Sequence, residues 1–136
     1  VQEYRQALAV EPNKIGGYVS LAAVLIHIGE PSEAVRYARH GLTLASAHPD
    51  LAQPLAFALL RDSKPADALS AAERAKGLGA DEVNGLLITA LARQGLGRAA
   101  EAKQDYARAL VLAEKHTSTS PLRLLLLQQA ASQLGP

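Results

Sequence analysis

The sequence predicts an all-α chain built on an internal repeat, and three observations lead there. Nearly half of its 136 residues are apolar, yet its aromatic side chains are one phenylalanine and four tyrosines, with no tryptophan. A core of that kind is made of alanine and leucine, which suit close-packed helices better than sheets. Valine, isoleucine and threonine are too sparse and too irregularly placed to write strands of period two. The chain also matches itself at a step of 34 residues. Ala34, Ala68 and Ala102 each follow an acid, Glu33, Asp67 and Glu101. The same step links Ala7, Gly41, Ala75 and Ala109, then Val10, Leu44, Leu78 and Leu112, then Ala22, Ala56 and Ala90. Alanine is abundant enough to fill one column by chance, but not five columns in one register.

Turn chemistry divides the chain into eight helices. The first covers residues 1–10 and ends before Pro12, in the run LAVEPN. Three pairs follow. Gly29 is a left-handed stop with Pro31 early in the next helix, and Ser63 with Pro65 repeats that arrangement. Pro54 is tolerable only within a first turn, so its helix is expected to begin near Asp50 or Leu51. In the third pair Gly95 arrives two residues before the in-register Gly97, so the outward-facing residues of that helix carry an ambiguity of two positions. Asp81 and Ser120 have the chemistry of N-caps, the latter followed by Pro121. The polar segment 117–120 separates a last helix, residues 120–135, without founding a second domain. The recurring acids 33, 67 and 101 fall where a helix N-terminus favours negative charge.

A period of 34 with small residues at fixed places resembles the tetratricopeptide repeat, a helix–turn–helix unit. The resemblance covers almost the whole chain as one domain. Residues 1–14 are the second helix of a partial repeat, and repeats one, two and three run over 15–48, 49–80 and 81–116. Repeat one carries the pattern best, through Tyr18, Leu21, Ala22, Leu25, Gly29, Ala34, Gly41 and Leu42. Repeat two matches at Leu55, Ala56, Leu59, Ala68 and Ala75, and repeat three at Ala102, Tyr106, Ala109 and Leu110. The fold implied is a right-handed superhelical solenoid of antiparallel helix pairs. Alanine or glycine at the recurring places lets neighbouring helices approach closely.

Catalysis finds no support in the residues, and no cofactor is implied. His27, His40, His48 and His116 form no ligand pair, and without cysteine there is neither a thiolate ligand nor a disulfide. The serines show no nucleophile elbow, and the glycines follow no strand that could open a phosphate loop. With 14 basic and 13 acidic residues spread along the chain, no basic field for nucleic acid is written. The leucine run 124–127 is far short of the roughly 18 residues a membrane helix requires. The absence of methionine suggests a processed protein or a segment of a larger one, and the compartment is open.

What remains is a binding surface. The resemblance implies that the first helix of each pair lines a concave groove that receives a peptide or helix of another protein. Its inward-facing positions fall on Val19, Ala23, Ile26 and His27, on Gln53, Phe57, Leu60 and Arg61, and on Asn84, Ile88, Leu91 and either Arg93 or Gln94. Phe57 is a candidate aromatic anchor, with ordinary packing between repeats as the plain alternative. His27, Arg61 and Arg93 could align to grip a carboxylate, against the plain alternative of a solvated rim. The family's carboxylate clamp uses Lys, Arg and Asn where this chain has Val19, Ala23 and Gln53. A mainly apolar partner is therefore expected. Tyr4 and Leu8 at one end, and the leucines of the last helix at the other, are expected to be covered by further repeats or another subunit. The two functional readings are a non-catalytic scaffold working through its groove, and an arm of a larger enzyme or secretion assembly working through its ends.

Overall fold

A computed structural model describes residues 6, 15–44, 48–116 and 120–135. Among them are seven helices and no strand. They are α1 (Ile15–Ile28), α2 (Pro31–Leu44), α3 (Pro49–Arg61), α4 (Pro65–Gly77), α5 (Glu82–Gly95), α6 (Ala99–Lys115) and α7 (Pro121–Leu134). The helix expected over residues 1–10, with Tyr4, Leu8 and Pro12, and most of the polar segment 117–120 lie outside the described residues. No described helix is long and apolar enough to cross a membrane.

The turns inside the pairs repeat as closely as the alanines do. Gly29, Ser63 and Gly97 all take left-handed backbone angles, with φ of 86°, 61° and 80°. At each, the next amide reaches back to the last full turn: Glu30 to the Leu25 carbonyl (2.8 Å), Lys64 to Leu59 (2.9 Å), Arg98 to Arg93 (2.8 Å). This is the helix-ending bond that satisfies an orphan carbonyl. The three donors and three acceptors keep the sequence period, so the third pair is in register and its two-residue ambiguity disappears. The Ser32 hydroxyl donates to Asp62 (2.8 Å) and ties the start of α2 to the end of α3. The same bond is the main reason the Asp62 carboxyl is held below the ordinary carboxylate range.

The start of α3 departs from expectation. It begins at Pro49, so Pro54 sits in the second turn and not the first. The cost is one missing amide bond, to the carbonyl of Asp50 at the helix edge, which is less than a mid-helix proline exacts. At the N-termini of α5 and α7, Asp81 accepts from the Asn84 amide (2.8 Å) and Ser120 from the Arg123 amide (3.2 Å), as capping predicts. Glu33, Asp67 and Glu101 lie in the first turns of α2, α4 and α6.

The pairs stack in sequence order, α2 on α3 and α4 on α5. Successive first helices, α1 to α3 and α3 to α5, also touch, whereas successive second helices fan apart. The stack therefore curves with the first helices inside. Two clefts open on the outer side, one between α2 and α4 over α3, one between α4 and α6 over α5. Ala22, Ala34, Ala56, Ala68, Ala90, Ala102 and Ala109 are completely buried. Gly41 shows why small residues are required: a Cβ there would lie 2.8 Å from a Leu51 methyl and 3.1 Å from the Tyr18 Cβ. Replacing Gly41 with valine should lower the unfolding free energy by about 1–3 kcal/mol in a urea titration followed by circular dichroism. Ser63→Gly should move the same midpoint the other way, by up to about 1 kcal/mol, because serine is strained at positive φ.

Candidate functional site

The inner face of α1, α3 and α5 is open at one end and closed at the other. Ala23 on α1 is exposed, but Phe57 and Leu91, one and two periods later, are 0% and 1% exposed. Val19 is half-buried, whereas Gln53 one period later is buried. The covering element is α7. It packs against α5 and only lightly against α6, although its place in the series would put it on α6 as α3 sits on α2. It also reaches past α5, since Arg61 of α3 donates through Nε to the Gln129 side chain (2.8 Å). The last helix thus lies within the groove and does not extend the stack.

Its hold is polar at one end and apolar along the rest. Arg123 is 2% exposed. Its Nε donates to Asn84 Oδ1 in a short bond, one terminal nitrogen donates to the His116 carbonyl (3.1 Å), and the other meets both Asp81 carboxylate oxygens at 2.9 Å. Asn84 is oriented in turn by Gln53, to whose Oε1 it donates (3.3 Å), while Gln53 Nε2 donates to the Asp81 carbonyl (3.0 Å). Asn84, expected to face a partner, instead accepts from this guanidinium, and Gln53, expected there too, braces Asn84 and Asp81. Leu126, Ala130 and Leu134 follow Arg123 at helical spacing and are buried with Phe57, Ile88 and Leu91 in one core. At the far end the Arg61 guanidinium stacks over the Phe57 ring, 4.9 Å from its centroid, and partial burial lowers its pKa.

The other candidates divide. His27 is exposed at the end of α1, Ile26 is buried, and Leu60 is half-buried. Arg93 does not join His27 and Arg61. It is in register with Leu25 and Leu59, both core residues, and its guanidinium turns to α6, 2.5 Å from Asp105 and 3.8 Å from Glu101. Gly95 occupies the position of His27 and Arg61, so no row of three bases forms. Gln94, in register with Ile26 and Leu60, is half-buried. Arg93 lines the outer cleft between α4 and α6, a cavity of about 580 Å³ where Glu73, Glu82 and Asp105 face Lys76, Arg93 and Arg108. Sequence reasoning missed Arg123 and Asp81 as site residues. The available signal was a single base in the run PLRLLLL, one turn after a serine cap.

Helix pairs repeating at one register, with their first helices inside a curve, define a helical-repeat solenoid of the tetratricopeptide type. The comparisons with solved structures agree. A TPR-like protein from Chlorobium tepidum superposes with a TM-score of 0.74 at 20% identity, over 88% of this chain and 91% of that one. The first TPR domain of the human RPAP3 protein superposes with a TM-score of 0.66 at 23% identity, over 90% of this chain and 96% of that one. No protein-family model matches the sequence, and no curated protein matches it.

Removing the buried guanidinium should loosen α7 before the rest. Arg123→Ala strips donors from Asn84 and the His116 carbonyl, a change of about 2–3 kcal/mol. Amide hydrogen exchange should speed up over 121–134 by at least about tenfold while α1 and α2 keep their protection.

Proposed function

We propose that the chain is a non-catalytic scaffold that binds a helical segment of another protein on the inner face of its first helices. One observation carries this reading: the face already accommodates a helix, since α7 packs on α5 with a buried stripe and is tied to α3 by the Arg61–Gln129 bond. A surface that seats one amphipathic helix has the width and apolar lining to seat another. The open stretch at α1, with Val19, Ala23 and His27, leaves part of the same face accessible. The resemblance to solved tetratricopeptide folds supports a binding role without specifying the ligand.

A second reading has its own observation. Leu110 and Val111 on α6 are 41% and 56% exposed, and Leu124 on α7 is 56% exposed. These leave an apolar surface at the end of the stack, as an arm joined to another subunit would have. The two readings separate by site-specific photo-crosslinking in the source cells. A photoreactive residue at Ala23 should capture one defined partner that the same residue at Val111 does not. Capture from Val111 alone would transfer the working surface to the end and install the arm reading.

A further inference from the structure

The channel between α3 and α5 has features that covering apolar surface does not require. Covering Phe57, Ile88 and Leu91 needs only hydrophobic side chains. Yet the channel begins with a set of acceptors arranged around one cation: the Asp81 carboxylate, Asn84 Oδ1 and the His116 carbonyl, with Gln53 holding Asn84 in place. Burying a guanidinium is unfavourable unless it is paired and hydrogen-bonded, and this pocket does both. The pocket therefore selects arginine, whose planar, permanently charged head fits several acceptors at once. Beyond it the buried residues of α7 stand three, four and four positions apart, Arg123, Leu126, Ala130 and Leu134, a stripe down one helix face.

The helix that fills the channel also keeps some apolar surface outside it. Leu122, Leu125 and Leu127 are half-buried against the core, while Leu124 is exposed. On α6, which α7 touches only lightly, Leu110 and Val111 are exposed. A displaced α7 thus has apolar surface to meet outside the channel.

Resting on the groove reading above, we infer that this channel is a recognition site for a partner's helix bearing arginine one turn ahead of a leucine–alanine–leucine stripe, and that α7 occupies it in that partner's stead. The Asp81 carboxylate, Asn84 Oδ1 and the His116 carbonyl read the arginine, with Gln53 bracing Asn84. Phe57, with Arg61 stacked on it, closes the far end. The partner gains the channel only by displacing α7, so binding is set by competition between the two helices.

The test uses the full chain and two fluorescent peptides. One has the sequence of Ser120–Gly135. The other keeps only the residues equivalent to Arg123, Leu126, Ala130 and Leu134 on a polar, helix-forming background. A Leu126→Asp chain, with helicity verified, places a carboxylate in the apolar channel and expels α7. By fluorescence anisotropy it should bind both peptides at least about tenfold more tightly than the intact chain. Asp81→Asn in that chain, which keeps the helix cap, should weaken binding by about tenfold, as should glutamate for arginine in the peptide. A second arrangement avoids the destabilising change. Because the chain has no cysteine, Arg61→Cys and Gln129→Cys can be bridged by a short bismaleimide, and the bridged chain should bind at least about tenfold more weakly than the same chain left unbridged, whatever the two substitutions themselves cost.

Equal binding by the intact, expelled and bridged chains overturns the inference, as does indifference to the peptide arginine. A dimer of the intact chain that exchanges α7 also overturns it, making the occupant a second copy. If the peptides fail while a residue at Ala23 still captures a partner, only this inference falls. Capture from Val111 alone removes the groove reading beneath it.

Discussion

Close approach of helices at a few small residues is the constraint from which the remaining structure follows. Where Ala22, Ala34, Ala56, Ala68, Ala90 and Ala102 stand, every side chain is completely buried, and at Gly41 even one extra carbon would crowd Leu51 and Tyr18. Such spacing leaves little room for bulky anchors, which explains how a chain with one phenylalanine can still build a continuous core. It also shapes the stack. First helices contact their successors more closely than second helices do, so the molecule bends, and the bend produces a channel on one side and clefts on the other.

The repeat was legible because it is written in side-chain size, which a single sequence displays directly. Caps and turns were legible because Gly29, Asp81, Ser120 and the prolines each have one main structural use. The third pair was harder. Gly95 looked like an early stop, but a glycine can end a helix without setting its register, and the register is fixed by the backbone bond from Arg98 to Arg93. That bond puts Arg93 where leucine stands in the other two pairs, so a residue expected in the groove belongs to the interface with α6. There Asp105 and Glu101 replace apolar contact with charge pairing.

The position of α7 was not legible, for a physical reason. Leucines at 122, 124, 125, 126 and 127 cover most of the helix circumference, so the hydrophobic pattern has no preferred direction. Direction comes instead from Arg123, which must find acceptors once buried, and the acceptors lie on α5 and at the end of α6. Gln53 and Asn84 were identified as groove residues from their positions in the repeat. What position could not supply was the knowledge that Asn84, braced by Gln53, would be turned to a residue dozens of positions away. Phe57 illustrates the same limit, since its burial depends on an element that no local pattern connects to it.

For the proposed displacement of α7 by a partner's helix, the unequal covering of the inner face has a kinetic consequence. At α1 the face is open at Ala23 and His27, while the continuation along α3 and α5 is occupied. An incoming helix need not await complete departure of the resident one. It can gain a foothold on the first pair and advance as α7 peels away from its Gln129 contact toward its Arg123 anchor. Exchange of this branch-migration kind would decouple speed from strength: the exposed first pair would govern how fast a newcomer engages, and the buried guanidinium how long the last occupant resists.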